Sequence, residues 1–563
     1  MMTGPKTIPT GLLCCLWTVG IILGAGQPAF GGEVEFDHPG GFCDGDFALA
    51  LAASTEHATI YYTTNGEEPR PDNASRYLHP IAIASTTIVR AAAFDSQTNP
   101  AGCGARTFLF ASDVLNQTGA HFPQIWGTNG GKAVLAEYGM STGGEKDAGL
   151  REKVMAGLRS LDTCCIIADP ADLFSAETGI YAHPLERGGA WERRVSLEMF
   201  EAGGRSAFRC DCGLRIHGGT SRQPKETPKH SFRLVFKKRY GPARFHFPVF
   251  GPVCAQDFGD LILRAGNNDS WSAGRGEGRR QVTYLRDEWM RRTMLDLHQP
   301  SARGCFVHLY LNGLYWGVYN LCERPGSDLL GSTSTDPAGF DVRKGGQTVA
   351  GDALAWDGMM ALANRGLSDE GSYEEIGRRL DIGEFADYMI LNLYAGNSDW
   401  DRSANWYAIR PRTAAGRFQF LVWDGECTLG QLNADTQDLD DDESPQRLFH
   451  KLSENSAFRR LFAARAKQLL FNAGALAPEK NAARFQGLAN AIAAAMWAEA
   501  ARWGNHDPAR QSGHVDLYGA SIADQLWQPE VRRLLEQYFP QRRAFVLNQF
   551  RERGLYQEAT GRP

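Results

Sequence analysis

Several things are missing from this chain of 563 residues, and each absence removes a class of function. There is no His-Arg-Asp and no Val-Ala-Ile-Lys, so the usual protein-kinase signature is not present. No Gly-x-Ser-x-Gly, no His-Glu-x-x-His and no Cys-His nucleophile pattern stands out, which argues against a serine hydrolase, a zincin and a thiol protease. Basic residues are not in excess. With 59 Lys and Arg against 65 Asp and Glu the net charge is −6, the wrong sign for a nucleic-acid-binding surface. Cys210-Asp-Cys212 has no Cys or His partners at zinc spacing. Beyond the first 31 residues nothing approaches the ~18 apolar residues that a membrane span requires, and no internal repeat is visible.

What is present is an ordinary globular composition, 43% hydrophobic and 22% charged, over a length that calls for more than one core. Residues 1–31 read as a secretory signal: Lys6, an apolar stretch from Gly11 to Gly24, and a small-x-small cleavage pattern at Ala29-Phe-Gly31. Ten cysteines follow, an even number that fits disulfides in an exported chain, with Cys43 and Cys103 as the expected pair.

Residues 33–112 predict a small all-β module, with strand-prone runs at Phe47-Ala-Leu-Ala-Leu-Ala and Thr59-Ile-Tyr-Tyr-Thr and two more between Ile81 and Phe94. The string Ala58-Thr-Ile-Tyr-Tyr-Thr-Thr-Asn-Gly-Glu-Glu-Pro69, followed by Tyr77, Pro80-Ile81 and Val89-Arg-Ala-Ala-Ala-Phe94, resembles the C-terminal module of chitobiase and hexosaminidase. That resemblance implies an immunoglobulin-like β-sandwich acting as an extracellular accessory. Tyr61, Tyr62 and Tyr77 are either core residues or a platform for a glycan. Residues 113–193 read as a connecting region with one helix, Ala148 to Leu161. From 194 to 555 the pattern is mixed: strands at 194–200, 208–216, 230–237, 259–263 and 305–318, then helices at 282–297, 382–393, 456–471, 481–503 and 531–550. A β-rich half before a helix-rich half predicts an α+β, two-lobed kinase-like fold.

The chemistry concentrates between Asn397 and Gly430. Asn397-Ser-Asp-Trp-Asp-Arg-Ser-Ala-Asn-Trp-Tyr-Ala-Ile-Arg410 places an acid, Asp399, a few residues before an amide, Asn405. A strand-like run, Phe418 to Trp423, then delivers Asp424 and, two residues on, Glu426. A phosphoryl-transfer site needs these parts in this order: one carboxylate for the attacking hydroxyl, then an amide and a strand-borne acid for divalent metal. An acid closing an apolar strand is costly unless it is paired or holds a cation.

Five blocks in one order carry a further resemblance: Gly213-Leu-Arg-Ile-His-Gly-Gly-Thr-Ser-Arg222 with Pro228-Lys-His-Ser-Phe-Arg-Leu-Val-Phe236, Leu261-Ile-Leu-Arg-Ala-Gly-Asn-Asn-Asp-Ser-Trp271, Tyr284-Leu-Arg-Asp-Glu288, Val307 to Arg324, and the acidic pair above. Together they are similar to the CotH kinases, atypical secreted kinases of spore coats. The resemblance implies ATP with Mg²⁺ or Mn²⁺ as cofactors. It makes Asp399, with Asp401 as the alternative, the residue that positions the acceptor hydroxyl. Asn405, Asp424 and Glu426 become metal ligands. Lys229 is the phosphate-binding lysine, with Arg222, Lys225 and Arg233 close by. Glu288, or else Glu323, is the acid that orients it. The acceptor would be an extracytoplasmic protein or the chain itself. Two other readings stay open: a non-catalytic envelope scaffold of the same fold, and a carbohydrate-active enzyme using Asp399 and Glu426 as its carboxylates.

Overall fold

The computed structural model describes residues 34–557 apart from 97–98, 143–147, 203, 252–256, 274–275, 327–328, 330–338, 401–404, 439–443 and 507–520. The expected signal segment, Asp401, Cys254 and most of the acidic run at 435–443 therefore lie outside the described residues.

The N-terminal module is a sandwich of mostly antiparallel strands, with Gly41–Phe42 parallel to Pro100–Leu109. Its main sheet runs in the order Gly41–Phe42, Pro100–Leu109, Thr87–Phe94, Thr59–Thr63 and Ser75–Arg76. Val34, Leu49, Ile60, Ile81, Val89 and Phe108 fill the space between its layers. The Tyr77 hydroxyl accepts the Leu51 N–H at 3.1 Å, and Tyr61 packs edge-on against Phe94. These rings serve the sandwich. The expected Cys43–Cys103 disulfide is not formed, and both thiols are free. Pairing explains why: Phe42 lies beside Leu109, and Cys43 N–H bonds the Leu109 carbonyl, whereas Cys103 is six residues back along the same strand. At about 3.3 Å per residue the two cysteines stand roughly 20 Å apart.

A seven-stranded closed barrel follows, in the order Asp162–Ile167, Arg193–Phe200, Ser206–His217, Ser231–Val235, Asp260–Arg264, Leu314–Glu323 and Gly304–Leu311. It closes through a parallel pair, Asp162–Ile167 against Gly304–Leu311. One expectation changes here: the segment read as connecting supplies a barrel strand. The strand-like run 305–318 is a hairpin that turns at Asn312-Gly313, both at positive φ, where the Asn-Gly pair reads as a turn. Strand alternation sends Leu214, Ile216, Phe232, Leu234, Leu261, Leu263, Leu309 and Leu321 inward.

A four-stranded sheet, in the order Gln347–Ala350, Phe340–Lys344, Trp406–Pro411 and Gln419–Val422, lies between the barrel and the helices. Its two faces belong to different cores. Trp406, Ala408, Phe420 and Val422 pack with Trp289, Phe385 and Tyr388 among the helices. Val342, Tyr407, Ile409, Leu421 and Trp423 pack on Ile262 and Cys322 of the outer barrel wall. The expected helix over 481–503 is two helices, Pro478–Ile492 and Ala495–Trp503. No Gly or Pro marks the break. The second helix crosses Ala148–Leu158 so closely that a Cβ on Gly157 would meet the Ala494 carbonyl at 2.5 Å.

Candidate phosphoryl-transfer site

The run Phe420-Leu-Val-Trp423 alternates between the two cores, and it stops where they diverge. Asp424 is the first residue past that point. It adopts a left-handed backbone conformation (φ 63°) and leaves its side chain 39% exposed at the mouth between the lobes. The chain then turns back. Ser398 N–H bonds the Cys427 carbonyl at 3.1 Å and Leu429 N–H bonds the Ala395 carbonyl at 2.8 Å. These two bonds hold the loop of Asp399 against the loop of Asp424 and Glu426. The Asn405 amide donates to the Asp399 carbonyl at 2.6 Å, so acid and amide share one turn.

Four charged groups meet beside this junction. Arg264, 8% exposed at the end of its barrel strand, lies 2.6 Å from Asp424, 2.8 Å from Glu426 and 3.3 Å from Asp287. Its guanidinium also stacks on Trp423, 4.7 Å from the ring centre. Glu426 takes a second bond from Asn268 N–H at 3.0 Å, and Asp287 accepts from Gly425 N–H at 3.0 Å. Burial and the Asp424 charge push the Glu426 carboxyl up to about 8, against the pull of Arg264. Burial acts on Asp287 too, but Arg264 and Arg291 outweigh it and hold this acid below the usual carboxylate range. Asp287 and Arg264 thus join the acids of this site, which the sequence motifs alone do not single out. The signal available was Arg264 closing the apolar run Leu261-Ile-Leu263; Asp287, between Arg286 and Glu288, carried none.

Lys229 sits elsewhere. It is fully buried, with its ammonium bonded to Glu499 at 2.6 Å and to the Val318 carbonyl at 2.7 Å, between the rings of Tyr284 and Tyr319. The acid that orients it is Glu499, which replaces both Glu288 and Glu323 in that role. Glu288 is held by Arg291 and Arg292, each at 2.7 Å, and Glu323 accepts the Arg303 N–H at 2.7 Å. Arg222 is buried and spends its donors on the carbonyls of Gly218, Pro184, Glu186 and Ile216, so it ties the loop together. Arg233 pairs with Asp260. Lys225 is exposed on the loop after Arg222, beside Glu226 at 3.9 Å. An Asp-Phe-Gly triplet, expected to be absent with the rest of the usual kinase signature, is present as Asp257-Phe258-Gly259. It lies at the far end of the strand from Arg264, with Asp257 against Arg244 at 2.7 Å.

A small cavity of ≈ 20 Å³ opens among Arg264, Asp269, Tyr284, Asp287, Glu288 and Glu426. That is room for about one water or one ion. Among the described residues no three His, Cys, Asp or Glu side chains close on a common point as an ion cage. Mg²⁺ is ordinarily held by one or two carboxylates with water and phosphate oxygens completing its shell. Asp424, and Glu426 once a cation displaces its proton, are oxygen donors that fit that requirement, and Asn405 lies beside the Asp399 loop that is joined to theirs.

An α+β architecture with acids gathered at the seam of two lobes is compatible with a kinase-like protein. The comparison with known families agrees: residues 214–352 and 344–546 match the CotH kinase protein family, and residues 38–102 match the chitobiase/beta-hexosaminidase C-terminal domain. The first match spans well over half of the sequence, and the chain belongs to the CotH kinase family. No curated protein matches it closely enough to count as a relative. No helix among the described residues is long and apolar enough to cross a membrane.

Proposed function

We propose that this protein is an exported kinase that transfers the γ-phosphoryl group of ATP to hydroxyl groups of a protein, either an extracytoplasmic partner or the chain itself. The observation that carries this reading is the stitching of the Asp399 loop to the Asp424 loop at the mouth between the lobes. Asp399 takes the position of the residue that orients the acceptor hydroxyl and receives its proton. Asp424, Glu426 and Asn405 are the groups that would hold Mg²⁺ or Mn²⁺, which supplies the charge that offsets the phosphate oxygens. Export is supported by the leader-like first 31 residues and by the accessory module, through which glycan contact at the cell surface is a secondary possibility.

The test is binding of ATP with Mg²⁺ or Mn²⁺ by residues 32–563, followed by calorimetry. Metal-dependent binding supports the reading. One observation favours a second reading, a kinase-fold scaffold without turnover: Arg264 already neutralises part of the acid cluster. Absence of any metal-dependent ATP binding would place that scaffold ahead.

A further inference from the structure

The phosphate-binding lysine expected on the barrel, Lys229, is enclosed, and its ammonium is spent on Glu499 and the Val318 carbonyl. A phosphoryl-transfer site still needs a cation across from its acids. Alternation along the strands shows where cations stand. Inward residues of the Ser206–His217, Ser231–Val235 and Asp260–Arg264 strands are apolar, while their outward neighbours are Arg215, His217, Arg233 and Arg264. This outer wall faces the four-stranded sheet. From that sheet Phe340 and Val342 point at the wall as part of the shared core, and Lys344, next on the same face, continues the row.

Most of these cations are already matched. Arg264 has three acids, Arg233 and Arg324 share Asp260, and Arg215 has Glu192 at 3.8 Å. Lys344 is the exception: half-buried, with its ammonium 5.7 Å from the centre of the Tyr407 ring and no carboxylate at ion-pair distance among the described residues. Tyr407 packs edge-on against Trp423 at 5.8 Å, and Trp423 carries Arg264 on its other side. That chain of contacts sets Lys344 on the same seam as Asp424. His217 reaches the seam from the barrel: it pairs with Ser231, whose hydroxyl accepts the N–H of Ala265, next to Arg264. Burial first, then the nearness of Lys344 and Arg264, keeps the His217 ring uncharged. A neutral imidazole offers one N–H donor, and beside an unmatched ammonium that gives two donors suited to an anion.

We infer that Lys344, assisted by His217, is the phosphate-binding cation of this site, facing Asp424 across the cleft and taking the polyphosphate of a nucleotide. The inference rests on the phosphotransferase reading for its nucleotide, but not for its anion. A lysine ammonium is a point charge that binds phosphate without fixed geometry.

The experiment is calorimetric titration of the intact chain with inorganic tripolyphosphate and, separately, with ATP and Mg²⁺. Parent, Lys344→Met, Lys344→Arg and His217→Asn are compared, with thermal unfolding as the check on folding. Loss of one charge-assisted bond predicts about tenfold or more weaker binding of both probes in Lys344→Met, recovery in Lys344→Arg and a smaller loss in His217→Asn. Should Lys344→Met unfold early, Lys344→Gln carries the same prediction. Binding by the parent that Lys344→Met and Lys344→Gln leave unchanged overturns the inference while the kinase reading stands. Tripolyphosphate binding that depends on Lys344, without ATP binding, keeps the inference and removes the kinase reading. No binding of either probe by the parent overturns both.

Discussion

Lys229 and Glu499 meet at 2.6 Å although 269 residues lie between them, and neither side chain is exposed to solvent. Glu499 comes from the helix Ala495–Trp503 and enters the barrel wall at Gly317. It accepts the Val318 N–H at 2.6 Å and the Tyr284 hydroxyl at 2.8 Å. Gly317 has φ 116°, and a Cβ there would lie 2.5 Å from the Glu499 carboxylate. The pair therefore fastens the helical half to the barrel.

Removing one partner of such a pair strands a buried charge, at a cost of about 3–5 kcal/mol. Glu499→Gln and Lys229→Met are both expected to lower the midpoint of denaturant unfolding. The double variant should lose less than the sum of the two, because each single change leaves the other charge alone. Gly317→Ala should destabilise through the same contact. Urea unfolding curves for the four variants check this, and additive losses would contradict it.

Glu198 makes stability depend on pH. It is fully buried where the N-terminal module docks on the barrel, close to Arg106 and Thr107 of the module and to Arg209, 3.6 Å away. Burial raises its carboxyl to about 7, with Thr107 and the two arginines only partly offsetting. The folded protein thus keeps this proton up to about pH 7, whereas the unfolded chain releases it near 4.5. More protons are bound by the folded state in that window, so this group's contribution falls as pH rises from 4.5 to 7, by up to about 3 kcal/mol. Glu198→Gln should raise the melting temperature at pH 8 and change it little at pH 4.5. An equal gain at both values would show that the carboxyl is not the titrating group.

Asp424 stands at φ 63°, a conformation that Asn and Gly tolerate and that strains most other residues by roughly 1 kcal/mol or more. Asp424→Asn is expected to unfold at the parent's temperature, and Asp424→Ala a few degrees lower, while both lose metal-dependent function. Matching melting curves for Asn and Ala would remove the backbone argument.

Cys43 and Cys103 are predicted to be alkylated without prior reduction, in peptides recovered from the native-purified chain. A peptide containing both cysteines joined would contradict the strand pairing that separates them.

How much of this was legible in the sequence follows from the range of each interaction. The apolar alternation of Phe420-Leu-Val-Trp423 and the acid after it are local, and the structure places Asp424 at the strand end as expected. The α+β order and the β module were legible for the same reason: period-two runs and turn residues are short-range signals. Glu499 was not, since nothing in its helix distinguishes it from a surface glutamate until that helix packs on Gly317. The turn at Asn312-Gly313 within the run 305–318 was legible too, because an Asn-Gly pair is a local signal for positive φ. Arg264 shows the converse case. It was quoted as part of a block, but three acids from distant segments had to fold around it before its charge acquired a role.

The central claim is transfer of the γ-phosphoryl group at the seam of Asp399 and Asp424. The most direct measurement follows label from γ-³²P-ATP into residues 32–563, with Mg²⁺ and with Mn²⁺, for the parent, Asp399→Asn and Asp424→Asn. The account predicts incorporation that requires metal and is lost in both variants while their melting temperatures match the parent. Incorporation that persists in both folded variants would contradict it.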